Sequence, residues 1–142
     1  VHSEMEQFVA HLQRVNRHLR SSVFEGNQQP VTRVQWLLMR HLKRSGGSTI
    51  GQLAERLDVR ASTMSQMLDR LEKQGYLVRQ QDPADARVKL IRLTEEGHSV
   101  IAQTEKHWLD SLAEPFNKLE PEEREQLARL MQRLADQIQG GE

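Results

Sequence analysis

Apolar residues recur at Met5, Phe8, Val9, Leu12, Val15, Leu19 and Val23. This spacing predicts one helix over residues 3–25, about six turns long, closed by Gly26. Its other face carries Arg14, Arg17 and Arg20. A long helix with one narrow apolar stripe is expected to pack on a partner rather than to fold alone.

After the turn Gly26-Asn27-Gln28-Gln29-Pro30, the pair Thr32 and Gln35 forms a capping-box pattern. The helix it opens runs through Trp36, Leu37, Leu38 and Leu42 and stops at Gly46-Gly47. Ser48-Thr49-Ile50 is too short for more than an edge strand. Thr49 and Gln52 repeat the capping pattern and open a short helix through Leu53, Ala54 and Leu57. A further helix begins near Ala61 with Met64, Met67, Leu68 and Leu71 inward, and Gly75 ends it. Only Asp58-Val59-Arg60 separates these two, with Val59 as the apolar plug. Two short helices around such a turn outline a helix-turn-helix.

Residues 76–79 and 88–93 then read as strands flanking the loop 80–87, which is rich in turn formers. A charged loop between strands, directly after a helix-turn-helix, has the pattern of a wing. Thr94 caps the next helix, with Glu95 and Glu96 in its first turn. That helix carries Val100, Ile101, Trp108, Leu109 and Leu112 and is expected to break or kink at Pro115. A last helix opens at Pro121 and carries Leu127, Leu130, Met131, Leu134 and Ile138 before Gly140-Gly141.

Charge changes this picture little. The 142 residues carry no net charge, but it is unevenly spread: +4 over residues 1–52, +2 over 53–93 and −6 over 94–142. A basic face on the first two thirds is compatible with a nucleic-acid partner without demanding one. No cysteine is present, which removes disulfides, thiolate zinc sites and thiol-based sensing. No apolar stretch approaches the ~20 residues that span a bilayer, and no signal peptide is visible. A soluble, cytoplasmic protein away from the membrane is expected.

Leu53-Ala54-Glu55-Arg56-Leu57, the run Ser62 to Leu77, Asp82-Pro83-Ala84-Asp85-Ala86-Arg87 and Leu93-Thr94-Glu95-Glu96-Gly97 occur in that order. In this combination the chain resembles the MarR family of bacterial transcription regulators, over nearly its whole length. The resemblance implies a mainly α fold with a small β-wing, in which a winged helix-turn-helix core is flanked by N- and C-terminal dimerisation helices. The expected division is a dimerisation helix and turn at 1–30, a DNA-binding core at 31–93 and dimerisation helices at 94–142. It further implies a homodimer on a palindromic operator in double-stranded DNA, acting as a repressor or less often an activator. Many family members bind small aromatic acids or phenols between the dimer helices and the core. Here Leu12, Val15 and Leu19 of the first helix, Trp36, Met39 and Arg40 of the second, and the helix after the wing would line such a site.

The resemblance has two departures. Arg60 stands where a small polar residue is often found before the recognition helix, so Asp58 or Ser62 would have to cap it, or its start shifts. Ala86 replaces a frequent second basic residue at the wing tip, leaving Arg87 as the main candidate there.

A recognition helix needs short polar side chains on its exposed N-terminal face. Ser62, Thr63, Ser65 and Gln66 supply them, because the 64, 67, 68, 71 set points inward. Gln66 can pair with adenine at two atoms. Arg60 is expected to reach a base or a phosphate, and Arg70 a phosphate. Arg87 suits a narrow minor groove, whose negative potential attracts a guanidinium. Asp85 resembles the family's paired acid, which holds the loop's shape. Arg79, Lys89 and Arg92 are expected phosphate contacts on the strands.

His41, His98 and His107 lie on different helices without a ligand pair at i, i+4, so no metal is expected. There is no phosphate loop, nucleophile elbow or acid–base pair, and neither a cofactor nor catalysis is expected. Two other readings stay open: a winged-helix protein-interaction module without DNA binding, and a metal-responsive regulator using these histidines.

Overall fold

A computed structural model describes residues 2–24 and 29–138. Six helices and one two-stranded sheet follow in the order α1 (His2–Phe24), α2 (Arg33–Ser45), α3 (Ile50–Arg56), α4 (Ala61–Lys73), β1 (Leu77–Gln81), β2 (Lys89–Leu93), α5 (Glu95–Asn117) and α6 (Pro121–Asp136). The expected closing glycines Gly26, Gly140 and Gly141 lie outside the described residues.

Local chemistry sets the helix starts. Thr32 Oγ1 accepts from Gln35 N–H (3.2 Å) while Thr32 N–H donates to Gln35 Oε1 (3.0 Å). Thr49 and Gln52 repeat this at 3.1 and 2.9 Å. Each box satisfies two donors that a helix start otherwise leaves orphaned.

The core gathers where α2, α3, α4, β2 and the first half of α5 meet. Trp36, Leu38, Met39, Leu53, Met64, Leu68, Leu71, Ile91 and Ile101 are all but closed to solvent. Each large apolar side chain buried there contributes roughly 1.5–3 kcal/mol. Phe24 and Trp108 extend this core toward α1, with the Trp36 and Trp108 rings tilted edge to face at 4.4 Å between centroids.

β1 and β2 pair antiparallel from Leu77 opposite Leu93 to Gln81 opposite Lys89. The strands differ from the expected 76–79 and 88–93, because Gln80 and Gln81 still find partners and the turn is confined to what lies between. Ser48 adds a one-residue third strand, exchanging bonds of 3.1 and 2.7 Å with Ile91.

The end of α4, the wing and the start of α5 meet at one knot. Gly75 takes φ +85°, a left-handed conformation that ends α4 and lets Tyr76 N–H return to Leu71 O at 3.0 Å. Thr94 Oγ1 donates to Gly75 O (2.6 Å) and accepts from Gly97 N–H (3.1 Å). A Cβ at Gly97 would stand 2.3 Å from Tyr76 O, so this approach excludes any side chain.

Of the break or kink expected at Pro115, the break does not occur; α5 is one helix to Asn117. Proline lacks an N–H, so the carbonyl four residues back loses its helical donor. That carbonyl, Ser111 O, instead accepts from His18 Nε2 of α1 at 3.0 Å. The packing of α1 on α5 thus supplies the missing bond.

α1 and α6 leave their stripes open. Met5, Phe8, Val9 and Val15 are exposed on α1, and α6 buries no residue at all.

Candidate nucleic-acid interface

The turn between α3 and α4 is tight. Asp58 adopts φ +52°, and Val59 N–H returns to Ala54 O at 3.0 Å, which seats Val59 against the core. Arg60 occupies the N-cap of α4 with extended backbone and no side-chain cap. The expectation that Asp58 or Ser62 caps this helix is therefore not met. The first intrahelical bond runs from Met64 N–H to Arg60 O (2.9 Å). The amides before it stay available at the positive end of the helix dipole, a placement that favours an anion.

With Met64, Leu68 and Leu71 buried, α4 turns its polar side outward. Ser62, Thr63 and Gln66 are exposed, Ser65 is half-buried on the flank, and Arg60 and Arg70 stand in solvent.

The wing is held by its aspartates. Asp85 Oδ1 accepts from the N–H of Arg87 (3.0 Å) and from Arg87 Nε (3.3 Å), while the Arg87 side chain remains 92% exposed. Asp82 Oδ1 accepts from Ala84 N–H at 2.9 Å, and Asp82 N–H closes the ladder on Val88 O at 2.9 Å. Sequence reasoning missed Asp82, although Asp before Pro at a strand end is a turn signal that marks it. Lys89 is exposed opposite Gln81 near the wing's outer end.

Arg79, expected to contact a phosphate, is engaged by acids within the chain. Its Nη2 donates to Asp69 on α4, and its Nε lies 3.5 Å from Glu72. The guanidinium is turned inward because two acids at i, i+3 on α4 face it. Arg92 on the other strand is exposed and lies along Gly47.

The histidines do not converge. His41 stands 3.5 Å from Ser48 Oγ; His98 and His107, expected on different helices, share α5, where both are exposed. Among the described residues no three His, Asp or Glu side chains approach closely enough to hold a metal ion. No described helix is long and apolar enough to cross a membrane.

A cleft of about 210 Å³ opens between α1, α2 and α5, walled by Phe24, Trp36 and Trp108 and rimmed by Arg20, Arg33 and Arg40. The Arg40 guanidinium lies 4.8 Å above the Trp36 ring. Trp36 Nε1 and Trp108 Nε1 are buried without a hydrogen-bond partner. Of the lining expected from sequence, Leu19, Trp36, Arg40 and, from the helix after the wing, Trp108 are there, while Leu12 is not. Met39 is fully buried, and Val15 lines a neighbouring groove with His18 and Leu112.

A helix-turn-helix with an exposed polar reading face, followed by a two-stranded wing tipped with arginine, defines a winged helix-turn-helix regulator. Residues 31–89 match the model of the MarR family. The chain is 30% identical over 110 residues to the HTH-type transcriptional regulator YhbI of Bacillus subtilis (strain 168), covering 78% of this chain and 71% of that protein. The YusO protein of Bacillus subtilis has the same fold at a TM-score of 0.75 and 27% identity, over 97% of this chain and 99% of that one. A mutant MarR from E. coli, solved in complex with operator DNA, aligns at a TM-score of 0.59 and 23% identity over 93% and 91% of the two chains. The chain belongs to the MarR family of transcriptional regulators and is not an enzyme.

Proposed function

We propose that the chain is a cytoplasmic repressor that acts as a homodimer on a palindromic operator in double-stranded DNA. Residues 1–30 and 94–142 form the dimerisation part and residues 31–93 read the DNA. The carrying observation is one juxtaposition: α4, with Ser62, Thr63 and Gln66 exposed, is joined through Asp69 to Arg79 on the first strand of a wing whose Arg87 is held at its base and exposed at its tip. Gln66 pairs with a base edge in the major groove, Arg87 enters the adjacent minor groove, and Arg60, Arg70 and Lys89 contact phosphates. The operator complex of the E. coli fold-mate supports this mode.

The open stripes support dimerisation. Leu127, Leu130, Met131 and Leu134 project from a helix that buries nothing within its own chain, and Ile138, expected on that helix, lies exposed just past its end. A second copy, with the stripe of α1, covers them and sets two α4 helices about one DNA turn apart. A dimer so placed blocks transcription by occupying the duplex.

The cleft suits a small aromatic or phenolic acid as the releasing effector. Its tryptophan walls accept a ring edge to face, and the arginine rim accepts an anionic group. Occupation between α1 and α2 changes the spacing of the two readers.

Selection of bound sequences from random duplex DNA tests the reading. The expected result is an enriched palindrome with half-sites about ten base pairs apart. Recovery of no enriched sequence overturns it.

A further inference from the structure

A two-stranded ribbon is marginal by itself and needs a tether to keep its direction. Beyond the knot at Thr94, a side chain of β1 links the wing to the reading helix. Arg79 stands on β1 opposite the fully buried Ile91, so its stem leaves from the edge of the core. Its Nη2 donates to Asp69 Oδ1, and its Nε lies 3.5 Å from Glu72 Oε2. That Nε is closed to solvent and makes no hydrogen bond, so its tie to Glu72 is purely electrostatic; the side chain is only 25% exposed, against 92% for Arg87. Asp69 lies three positions after Gln66 on α4, so the acids continue the flank of the DNA-reading face toward its C-terminal end.

We infer that Arg79 is a positioning residue that clamps the wing to α4 through Asp69 and Glu72, fixing the angle at which Arg87 and Gln66 meet the same duplex. The clamp rests on the DNA-binding reading above, and it replaces a direct phosphate contact by this arginine. The wing acts as a lever, so a small rotation at Arg79 displaces the tip by much more. The pairing also offsets one of the two negative charges that Asp69 and Glu72 would otherwise hold close to the phosphates.

The test uses the full chain and its Asp69→Asn/Glu72→Gln variant, each with and without Arg87→Ala, on the selected duplex. Loss of the clamp is expected to weaken binding on the order of fivefold. Most of that loss should vanish in the Arg87→Ala background, because a wing without its groove contact has no angle to keep. An Arg79 that contacts phosphate gives the opposite result: freed from its acids, it binds more tightly and with a steeper salt dependence. Tighter or unchanged binding, or an equal penalty without Arg87, overturns the clamp. Amide exchange in Leu77–Gln81 and Lys89–Leu93, measured without DNA, should rise severalfold in the variant. Unchanged exchange overturns the clamp whether or not any duplex is bound, while failure of the unmodified chain to select DNA overturns only the reading of function.

Discussion

In α4 the stripe Met64, Leu68 and Leu71 is closed to solvent, while in α6 Leu127, Leu130 and Leu134 lie open at 42%, 55% and 43%. Both stripes have helical spacing and both helices are polar elsewhere. The core helix finds its cover within the chain, against α2, α3 and Ile91. The terminal helix finds none there. Periodicity therefore specifies a helix and its apolar side equally well in both regions, but the covering surface belongs to tertiary structure in one and, on the proposed reading, to a second copy in the other.

The comparison can be broken most forcefully by placing a charge in each stripe. Leu68→Asp buries a carboxylate without a partner and is expected to cost more than about 4 kcal/mol, enough to abolish the thermal unfolding transition. Leu130→Asp with Leu134→Asp should leave the helical content of the core intact and convert dimers to monomers in sedimentation. A folded dimer from that variant would show that α6 is not the interface.

Smaller effects sharpen the working surface. Arg87→Ala is expected to weaken operator binding by roughly 1–3 kcal/mol while leaving the dimer unchanged, as read by titration and light scattering. Gln66→Ala should cost about 1–2 kcal/mol at its own base pair and relax preference there alone, measured by repeating the sequence selection. Thr49→Ala removes one half of a capping box and should lower stability by about 1 kcal/mol with no change in site preference.

What the sequence made legible was what neighbours along the chain decide. The boxes at Thr32 and Thr49, the Val59 plug and the buried Met64, Leu68 and Leu71 each depend on residues a few positions apart. The wing was placed by turn formers, though its strands shifted because pairing of Gln80 and Gln81 depends on Leu90 and Lys89 across the ladder. The partners of Arg79 were not legible for the same reason. As a strand cation it looks free, and only the fold brings Asp69 and Glu72 to it. The polar face of α4 was readable in outline, but the half-burial of Ser65 follows from what packs on that flank. At Arg60 the missing cap was visible in sequence, while its outcome, a helix start with no side-chain cap, was not.

The bond from His18 to Ser111 gives Pro115 a meaning that reaches beyond its own helix. The proline acts as a vacancy in the hydrogen-bond ladder of α5, and the vacancy is an address to which α1 is delivered, 93 residues earlier in the chain. Restoring an N–H with Pro115→Ala would set two donors competing for one carbonyl. The change would heal the helix in which it is made and loosen the one that docks there.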